Sequence, residues 1–233
     1  MLLPRLTPGT LLKRYQRFLA DVRLADSRMV TAHCPNTGSM LGCSQPGRPV
    51  FLSQHDSVKR KYPYTWELID MGPTLVGINT QRTNRVVREA LENRRIPELD
   101  SYDTISQEVK IGQGTRIDFR LQGPDRPDCY VEVKSCTLVR DGLAAFPDAP
   151  SQRGRKHLLE LDSLRSSGST AALVLLIQRN DASAFSPADD IDPDYGILLR
   201  RIASAGTAIL AYSASVSQQQ ITLESRLPVR LSS

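Results

Sequence analysis

Asp118, Glu132 and Lys134 are the residues of this sequence whose types and spacing could do chemistry together. Two carboxylates that lie on neighbouring strands and point the same way can share a hard divalent cation such as Mg²⁺ or Mn²⁺, which prefers oxygen ligands. The backbone carbonyl of Val133 is a further candidate ligand, because it lies on the same strand as Glu132. A cation held there can activate water and orient a phosphodiester. Lys134, two residues beyond Glu132 and therefore on the same face, could help to deprotonate that water or neutralise developing charge.

The elements that must position these residues are two strands joined by a turn. Between residues 114 and 134, positions 117, 119, 121, 131 and 133 are apolar and most of their neighbours are polar. Alternation with a period of two is typical of strands with one buried face. The intervening segment 122–128 is rich in Gly, Pro and Asp, which favour a chain reversal. The pattern therefore predicts an antiparallel pair with the two carboxylates and the lysine on one polar face.

The triplet Glu-x-Lys is not specific by itself, because residues 108–110 (Glu-Val-Lys) form a second copy. What distinguishes Glu132 is Asp118 on a preceding strand of the same hairpin. Glu108 is preceded only by acids in a stretch without strand alternation. The alternative is that Asp118, Glu132 and Lys134 form surface ion pairs on a solvated sheet face, which contribute little to stability. The pattern alone leaves the metal site and the ion pairs equally open.

Composition places the chain among folded globular proteins. The 233 residues, of which 40% are hydrophobic and 24% charged, suffice for one large domain or two small ones. The longest apolar run, 171–177, is far too short to span a membrane, and the N-terminus lacks a signal-peptide pattern. The four cysteines include no Cys-x-x-Cys pair, so neither a zinc site nor a disulfide framework is indicated. Reduced thiols and a cytoplasmic location are the simplest interpretation.

The net charge of +5 is concentrated in the first third of the chain. Residues 1–80 contain ten Lys and Arg against five Asp and Glu, whereas residues 81–233 contain twenty of each. Basic residues are followed by aromatic ones in the group Lys59, Arg60, Lys61, Tyr62, Tyr64 and Trp66. A basic surface interleaved with aromatic side chains suits a phosphate backbone and stacked bases. Ordinary solubilising charge is the alternative, and a net charge of this size carries little weight alone.

The order of apolar segments predicts two different architectures along the chain. Short apolar runs at intervals of about ten residues, punctuated by Gly, Pro, Asn and Ser, predict a small β-barrel or sandwich for residues 1–80. Helices are predicted over 84–93 with Asn84 as N-cap, over 151–166 with Ser151 as N-cap, and over 193–205. The continuously apolar run 171–178 predicts a strand covered on both faces, and hence a mixed α/β layer architecture.

The loop 33–40 (His-Cys-Pro-Asn-Thr-Gly-Ser-Met) gathers polar and turn-forming residues. Its candidate anion-binding groups are the side chains of His33, Asn36, Thr37 and Ser39, together with backbone N–H groups. If these groups bind a ligand, the chain is a small-anion or nucleotide binder. A structural turn whose side chains cap their own backbone is the alternative, and we favour it here.

Six segments, several of them long and uncommon, are spread from near the N-terminus to the last third of the chain. They are residues 12–22 (LKRYQRFLADV), 32–40 (AHCPNTGSM), 116–119 (RIDF), 130–135 (YVEVKS), 146–149 (FPDA) and 153–158 (RGRKHL). Together they resemble the sugar fermentation stimulation protein A family of bacteria and archaea. The resemblance covers nearly the whole chain.

The resemblance implies an α/β protein with an N-terminal OB-like β-barrel over residues 1–80. A mixed-sheet domain similar to the PD-(D/E)XK nucleases follows over residues 81–233. It further implies DNA binding without marked sequence preference, and a proposed role in regulating sugar metabolism, especially that of maltose. Asp118 then corresponds to the motif Asp, Glu132 to the acid of (D/E)-x-Lys, and Lys134 to its lysine. The residue before Asp118 is Ile117 rather than Pro, a common departure in this superfamily.

The same resemblance gives roles to residues outside the hairpin. Glu89, on the helix before it, corresponds to the extra acid that some such nucleases use. Lys156 or His157 corresponds to the polar residue that the helix after the motif often contributes. The expected phosphate contacts of the OB-like barrel are Lys13, Arg14, Tyr15, Arg17, Lys59, Arg60 and Lys61. Two functions stay open: a DNA-binding regulator with a divalent-metal site, and a Mg²⁺-dependent nuclease acting on DNA or RNA.

Overall fold

A closed β-barrel forms the first part of the computed structural model, which describes residues 1–55, 60–111 and 114–232. Its strands are β1 (Leu6–Tyr15), β2 (Leu19–Leu24), β3 (Met29–His33), β4 (Pro49–Gln54), β5 (Tyr64–Asp70) and β6 (Leu75–Gly77). They pair in the order β3-β2-β1-β4-β5-β6. A parallel pairing of β3 with β5, which joins Ala32 to Tyr64 and His33 to Thr65, closes the sheet into a barrel. The predicted OB-like barrel is confirmed.

The interior of the barrel is filled by apolar side chains from its strands. Leu11, Leu52 and Ile69 are fully buried, and side chains of this kind each stabilise a fold by roughly 1.5–3 kcal/mol relative to exposure. Strand β1 has no clear signal in the sequence, because Pro8 and Gly9 interrupt its alternation. Its register with β2 also shifts between Leu11 and Lys13.

A mixed sheet covered by helices forms the second part. The strands of this part are β7 (Thr104–Ile111), β8 (Thr115–Gln122), β9 (Cys129–Cys136), β10 (Leu138–Arg140), β11 (Leu143–Phe146), β12 (Thr170–Ile177), β13 (Ala184–Pro187), β14 (Ala208–Val216) and β15 (Ile221–Leu227). Its α-helices are α1 (Thr83–Glu92), α2 (Gln152–Ser166) and α3 (Pro193–Ser204), and short 3₁₀ turns span Thr80–Arg82 and Pro97–Leu99. The large sheet has the order β15-β14-β12-β9-β8-β7, with β9, β12 and β14 parallel to one another.

The large sheet has a separate apolar core on each face. On one face, Val87 of α1 packs in a cluster with Phe119 of β8. On the other face, Leu161 of α2 and Leu199 of α3 pack in a cluster with Leu175 of β12. Residues 171–177 of β12 are all buried. The predicted α/β architecture, with helices on both sides of a central apolar strand, is therefore confirmed.

A small second sheet has the order β10-β11-β13. The sequence indicates only its turn at Asp141-Gly142, which joins β10 to β11. Strand β13 pairs in parallel with β11 although α2 and β12 lie between them in the chain. A pairing between such distant segments leaves no short-range pattern from which it could be predicted.

The ends of the helices follow the expected capping signals in two cases of three. Ser151 caps α2, because its Oγ accepts the Gly154 N–H at 3.0 Å. Helix α3 begins with a proline at its first turn, as predicted. Helix α1 differs, since it begins at Thr83 and has no side-chain cap. Asn84 therefore lies inside α1, and its side chain reaches a different partner in the neighbouring sheet.

The first residues of the chain lie in an apolar cluster that contains residues of both parts, among them Phe51 of β4 and Val86 of α1. Met1 is buried in the core beside α1, and Leu2 forms a bridge with Gln220 before β15. The division at residue 80 stays a prediction. Within the described ranges no helix is long and apolar enough to cross a membrane.

The four cysteines are free and buried. Burial raises the pKa of Cys43 to about 11 and that of Cys136 to about 12. These two thiols therefore stay protonated at neutral pH, and they act as small apolar groups in the core.

Candidate metal centre

The hairpin of β8 and β9 brings Asp118 beside the strand that carries Glu132. The backbone ladder between the two strands ends at the pair Phe119 and Val131. One residue further, the Oδ2 atom of Asp118 accepts the backbone N–H of Val133 at 2.7 Å. The N–H and C=O groups of one residue in an extended strand point to the same side. The Val133 carbonyl therefore faces the side of β9 on which Asp118 lies.

Asp118 is also held from the opposite direction by α1. Asn84 Nδ2 donates to Asp118 Oδ1 at 2.7 Å. Burial, and next the charge of Glu132, raise the pKa of Asp118 in spite of these two hydrogen bonds. The carboxylate therefore lies close enough to a second carboxylate to be destabilised in its ionised form, a situation that a cation between them would relieve.

Glu132 is almost completely buried, with 2% of its surface exposed. Its Oε1 atom contacts Lys134 Nζ at 2.6 Å and is hydrogen-bonded to His157 Nδ1. Burial alone would raise the pKa of Glu132, but the hydrogen bond to His157 and the charge of Lys134 lower it. The glutamate is therefore ionised at neutral pH.

The second oxygen of this carboxylate, Oε2 of Glu132, is buried and has no hydrogen-bond partner. Buried polar atoms almost always have a partner in a native fold, and exceptions frequently mark an ion or a water. The donor set of Asp118, Glu132 and the Val133 carbonyl consists of oxygens, which suits Mg²⁺ or Mn²⁺ better than Zn²⁺. In the part of the chain that the structure describes, no cluster of three or more His, Cys, Asp or Glu could hold a metal. The oxygens of two carboxylates and one backbone carbonyl nevertheless fit a cation such as Mg²⁺, which usually keeps several of its own waters.

Of the two helix residues expected near this centre, the structure brings His157 into it. His157 is 8% exposed and lies 3.1 Å, at Nδ1, from Lys134 Nζ. Lys156, one position earlier on α2, is mostly exposed and lies 3.8 Å from Glu160 on the same helix. Neighbouring helix residues point about 100° apart, because a turn takes 3.6 residues. Lys156 therefore cannot share the face of α2 that meets Glu132.

Glu89 forms no ion pair with Lys134 among the described residues and has another partner. Its Oε1 atom accepts from the N-terminal ammonium group of Met1 at 2.7 Å, and its side chain is 45% exposed. The residue of α1 that contacts Asp118 is Asn84, which sequence reasoning treated only as a cap. The helical spacing could have indicated this, since Asn84 is three residues before Val87 and therefore on the face of α1 that packs with β8.

Two family models match this chain. The model described as the SfsA N-terminal OB domain matches residues 12–78, and that described as the sugar fermentation stimulation protein RE domain matches residues 81–220. The chain belongs to the sugar fermentation stimulation protein family. A homologue from Geobacter sulfurreducens is 53% identical over 230 residues, which is 98% of each chain. A homologue from a Shewanella species (strain MR-7) is 48% identical over 231 residues, again 98% of each chain.

A solved structure of a family member has the same fold. It is SfsA from Pyrococcus furiosus in complex with Ca²⁺, and it superposes with a TM-score of 0.89 at 28% sequence identity. The match covers 99% of this chain and 98% of the other. The family recognised from six sequence segments is therefore confirmed across both parts of the molecule.

The residues expected to contact phosphate in the barrel have different environments. Lys13 and Arg17 are exposed, and Lys13 Nζ lies 3.4 Å from Asp21 and 5.1 Å from the centre of the Tyr15 ring. Tyr15 is half-buried and its hydroxyl donates to Asp21 at 3.0 Å. Arg60 and Lys61 line a cavity beside β5. Lys59 lies outside the described residues.

The guanidinium of Arg14 is occupied by backbone carbonyl groups. It donates to the carbonyl oxygens of Arg17 at 2.7 Å, Asn36 at 3.0 Å and Gly38 at 2.7 Å. The structure therefore gives Arg14 a role in holding the loop 33–40. The acceptors at Asn36 and Gly38 belong to a loop more than twenty residues away in sequence, so no local pattern could have shown this.

The loop 33–40 is built as a structural turn. Asn36 is buried and its side chain accepts the Gly38 N–H at 2.9 Å. Asp148 in the second part accepts the Met40 N–H at 2.8 Å and, through its carbonyl, the hydroxyl of Ser39. Thr37 is exposed. The loop thus joins the barrel to the second part, and Asp148 is a partner that sequence reasoning missed.

Proposed function

We propose that this chain binds DNA through the phosphate backbone and holds a divalent cation, Mg²⁺ or Mn²⁺, at Asp118 and Glu132. The observation that carries the proposal is the buried, unpartnered Oε2 atom of Glu132 beside a second carboxylate whose pKa is raised. The solved relative bound to Ca²⁺ supports a divalent cation in this family. The regulatory role in sugar metabolism that the family name suggests is compatible with DNA binding in the cytoplasm.

Some residues of this centre would bind the cation, and others position the residues that bind it. Asp118, Glu132 and the carbonyl of Val133 would hold the cation, which when bound supplies positive charge that polarises a phosphate oxygen. Asn84 and the Val133 N–H fix the Asp118 carboxylate at both oxygens. His157 and Lys134 hold Oε1 of Glu132, so that Oε2 is left to the cation.

DNA binding is supported by the charge and fold of the barrel. The excess of basic residues lies in the first 80 positions, and an OB-like barrel is a common platform for nucleic acid. Lys13 and Arg17 are exposed on β1 and the following turn, where they can reach phosphates. Contacts of this kind carry no sequence information, so binding should be insensitive to base sequence.

A second candidate function is hydrolysis of phosphodiester bonds in DNA or RNA. The observation that favours it is the position of Lys134, whose Nζ lies 2.6 Å from Glu132 Oε1 and at the edge of the proposed cation site. An ammonium group there can stabilise negative charge that develops on a phosphate. Lys134 would then have two tasks, to hold Oε1 of Glu132 and to stabilise the charge that develops during cleavage.

A calorimetric titration with Mg²⁺, Mn²⁺ and Ca²⁺ tests the metal centre. We expect saturable binding by the wild type, with loss of binding in Glu132→Gln. The matched control is Glu108→Gln, which changes the glutamate of the second Glu-x-Lys triplet at residues 108–110. The side chain of Glu108 is 60% exposed. Binding that survives Glu132→Gln, or that is lost equally in Glu108→Gln, would contradict the proposed centre.

A cleavage assay separates the two functions. Single- and double-stranded DNA and RNA are incubated with wild type, Lys134→Met and the control Lys110→Met in each of the three metals. Cleavage that is lost only in Lys134→Met, while metal binding persists, supports hydrolysis. Binding of nucleic acid without cleavage of any substrate supports the DNA-binding function.

A further inference from the structure

A cavity of about 480 Å³ lies where the barrel closes and meets the second part. Its walls include His33 and Thr65, which pair with each other where β3 joins β5, and Arg82 just before α1. The volume is within the range of small-molecule sites, about 300–1,000 Å³. The proposed metal centre does not use any residue of this cavity.

The acidic residue in the cavity wall is neutralised by its neighbours. Glu67 is 1% exposed, and Arg82 donates to both of its oxygens, at 2.9 Å from Nη2 and 3.2 Å from Nε. Ser53 donates to Oε1 at 2.7 Å, and Asn79 donates to Oε2 at 2.9 Å. With its charge and its lone pairs occupied, Glu67 contributes a rigid wall and little negative potential.

Two basic residues of the cavity are left without such a counterion. Within residues 1–55, 60–111 and 114–232, neither Arg60 nor Lys61 forms an ion pair with an acidic side chain. Burial, and next the charge of Arg60, lower the pKa of His33, so this imidazole is neutral at pH 7. The cavity therefore carries net positive charge from two side chains and selects an anion.

Thr65 gives a second and independent indication of a ligand. Its side chain lines the cavity, is 4% exposed, and has a buried Oγ1 atom with no hydrogen-bond partner. A hydroxyl in a native interior normally has a partner. An acceptor supplied by a bound molecule would satisfy it.

The aromatic residue Tyr62 also lines the cavity, with Lys61 Nζ 5.5 Å from its ring centre. Aromatic rings beside basic side chains are the usual platform for a stacked base. A phosphate alone would leave this apolar surface unused. The combination of cationic, aromatic and hydroxyl groups fits a molecule that has both a phosphate and a base.

We propose that this cavity binds a phosphorylated nucleoside, with its phosphate at Arg60 and Lys61, its base on Tyr62, and a polar atom at the Thr65 hydroxyl. Such a ligand can be the terminal nucleotide of a strand or a free mononucleotide. In the first case the inference rests on the proposed DNA binding and names the part of the strand that is recognised. Arg82 in the cavity wall and Asn84, the partner of Asp118, are two residues apart, so their Cα atoms lie within about 7 Å. The cavity and the metal centre thus take residues from the same short segment of the chain.

The test is an equilibrium titration in EDTA, which removes any dependence on the metal centre or on cleavage. The probes are deoxyadenosine 5′-monophosphate, deoxyadenosine and inorganic phosphate. We expect the nucleotide to bind saturably and at least about tenfold more tightly than either of its parts, since each part makes only some of the contacts. Arg60→Ala should weaken binding by about tenfold or more, because it removes a charge-assisted hydrogen bond. Thr65→Val, which keeps the shape of the side chain, should weaken it by about fivefold.

The control variant is Arg23→Ala, which removes one positive charge from an exposed position on β2 outside the cavity. It should leave nucleotide affinity unchanged, and circular dichroism checks that all variants are folded. Weakening by Arg23→Ala equal to that by Arg60→Ala would show a diffuse charge effect and overturn the proposal. Absence of saturable binding by the nucleotide at millimolar concentration would overturn it as well.

A single-stranded oligonucleotide with a 5′-phosphate, compared with the same strand ending in a hydroxyl, identifies the source of the ligand. A preference of about tenfold for the phosphorylated strand, lost in Arg60→Ala, assigns the cavity to strand ends. Equal binding of the two strands, together with binding of the mononucleotide, assigns it to free nucleotides. Failure of every probe in EDTA would leave the metal titration unaffected, so the two proposals fail separately.

Discussion

The Asp118 carboxylate accepts the backbone N–H of Val133 at 2.7 Å, at the point where the ladder between β8 and β9 ends. A side chain thus takes the place of a strand partner, and this fixes the carboxylate next to the residue that follows Glu132. Asn84 holds the other oxygen of Asp118 at 2.7 Å. The carboxylate is therefore positioned before any cation arrives, although burial and the charge of Glu132 oppose its ionisation.

The stability of the metal-free protein should depend on pH through Asp118. Its pKa in the folded state is raised above the ordinary value of 3.8. At pH values between 3.8 and this raised pKa, the folded state binds more protons than the unfolded state. The free energy of unfolding contributed by Asp118 therefore falls as the pH rises through this window. Glu132 acts with the opposite sign, because its lowered pKa causes a loss of stability as the pH falls below 4.5.

Urea unfolding of wild type and Asp118→Asn across pH 4 to 8, with and without Mg²⁺, measures this effect. The difference in the free energy of unfolding between wild type and Asp118→Asn isolates the contribution of Asp118. As the pH rises, the wild type should lose stability relative to the variant. Saturating Mg²⁺ should stabilise the wild type more at high pH than at low pH, since protons compete for the same carboxylate. A Mg²⁺ effect that is independent of pH would contradict the assignment of Asp118 as a ligand.

His157→Gln and Lys156→Gln form a matched pair on adjacent positions of α2. We expect His157→Gln to weaken cation binding by about 10- to 100-fold, the usual effect of losing a residue that orients a ligand. Lys156→Gln should leave it unchanged, because Lys156 is exposed and faces Glu160. Metal titration of both variants measures the difference, and equal effects would show that His157 does not position Glu132.

The hairpin was predictable from the sequence, because alternation on both arms and the turn residues between them depend only on local order. The choice between Lys156 and His157 was not, since it depends on the rotation of α2 about its axis against β9. The partner of Glu89 could not be predicted either, because it is the amino group of Met1, 88 residues away in sequence. Local pattern predicted the strands and the motif residues, whereas the partners that orient them come from distant segments.

Arg14 and Arg17 are three residues apart but should respond differently to substitution. Arg14→Ala removes hydrogen bonds from a guanidinium to four carbonyl groups, those of Arg17, Asn36, Gly38 and Ser39, so it should lower the free energy of unfolding by about 2 kcal/mol. Arg17→Ala, at an exposed position, should change it by less than about 0.5 kcal/mol. Urea unfolding of the two variants tests this, and equal stability would show that the loop 33–40 does not depend on Arg14.

The salt dependence of DNA binding should change when Lys13 or Arg17, the exposed basic residues on either side of Arg14, is replaced. Each phosphate contact made by a basic residue contributes a slope of about −0.9 to the plot of log K against log salt concentration. Lys13→Ala and Arg17→Ala should therefore each reduce the magnitude of the slope by about one, uniformly across DNA sequences. Fluorescence anisotropy at several salt concentrations measures the slope. An unchanged slope in both variants would exclude this part of the barrel from the interface.

Gly38 and Asp148 connect the barrel to the second part, and their substitutions should not be additive. A Cβ atom on Gly38 would lie 2.6 Å from both carboxylate oxygens of Asp148, so Gly38→Ala should cost about 1–3 kcal/mol through overpacking. Asp148→Ala leaves the buried Met40 N–H without its acceptor, which should cost about 1–3 kcal/mol.

In the double variant the new methyl group at position 38 no longer meets a carboxylate, so the cost of the clash disappears. Only the cost of the lost hydrogen bond to the Met40 N–H remains. The double variant should therefore be more stable than the sum of the single effects by about 1 kcal/mol or more, as expected for residues in direct contact. A double-mutant cycle by urea unfolding measures this coupling. Strict additivity would mean that the loop 33–40 moves away from Asp148 when Gly38 is replaced, and that the contact between the two parts is adaptable at this point.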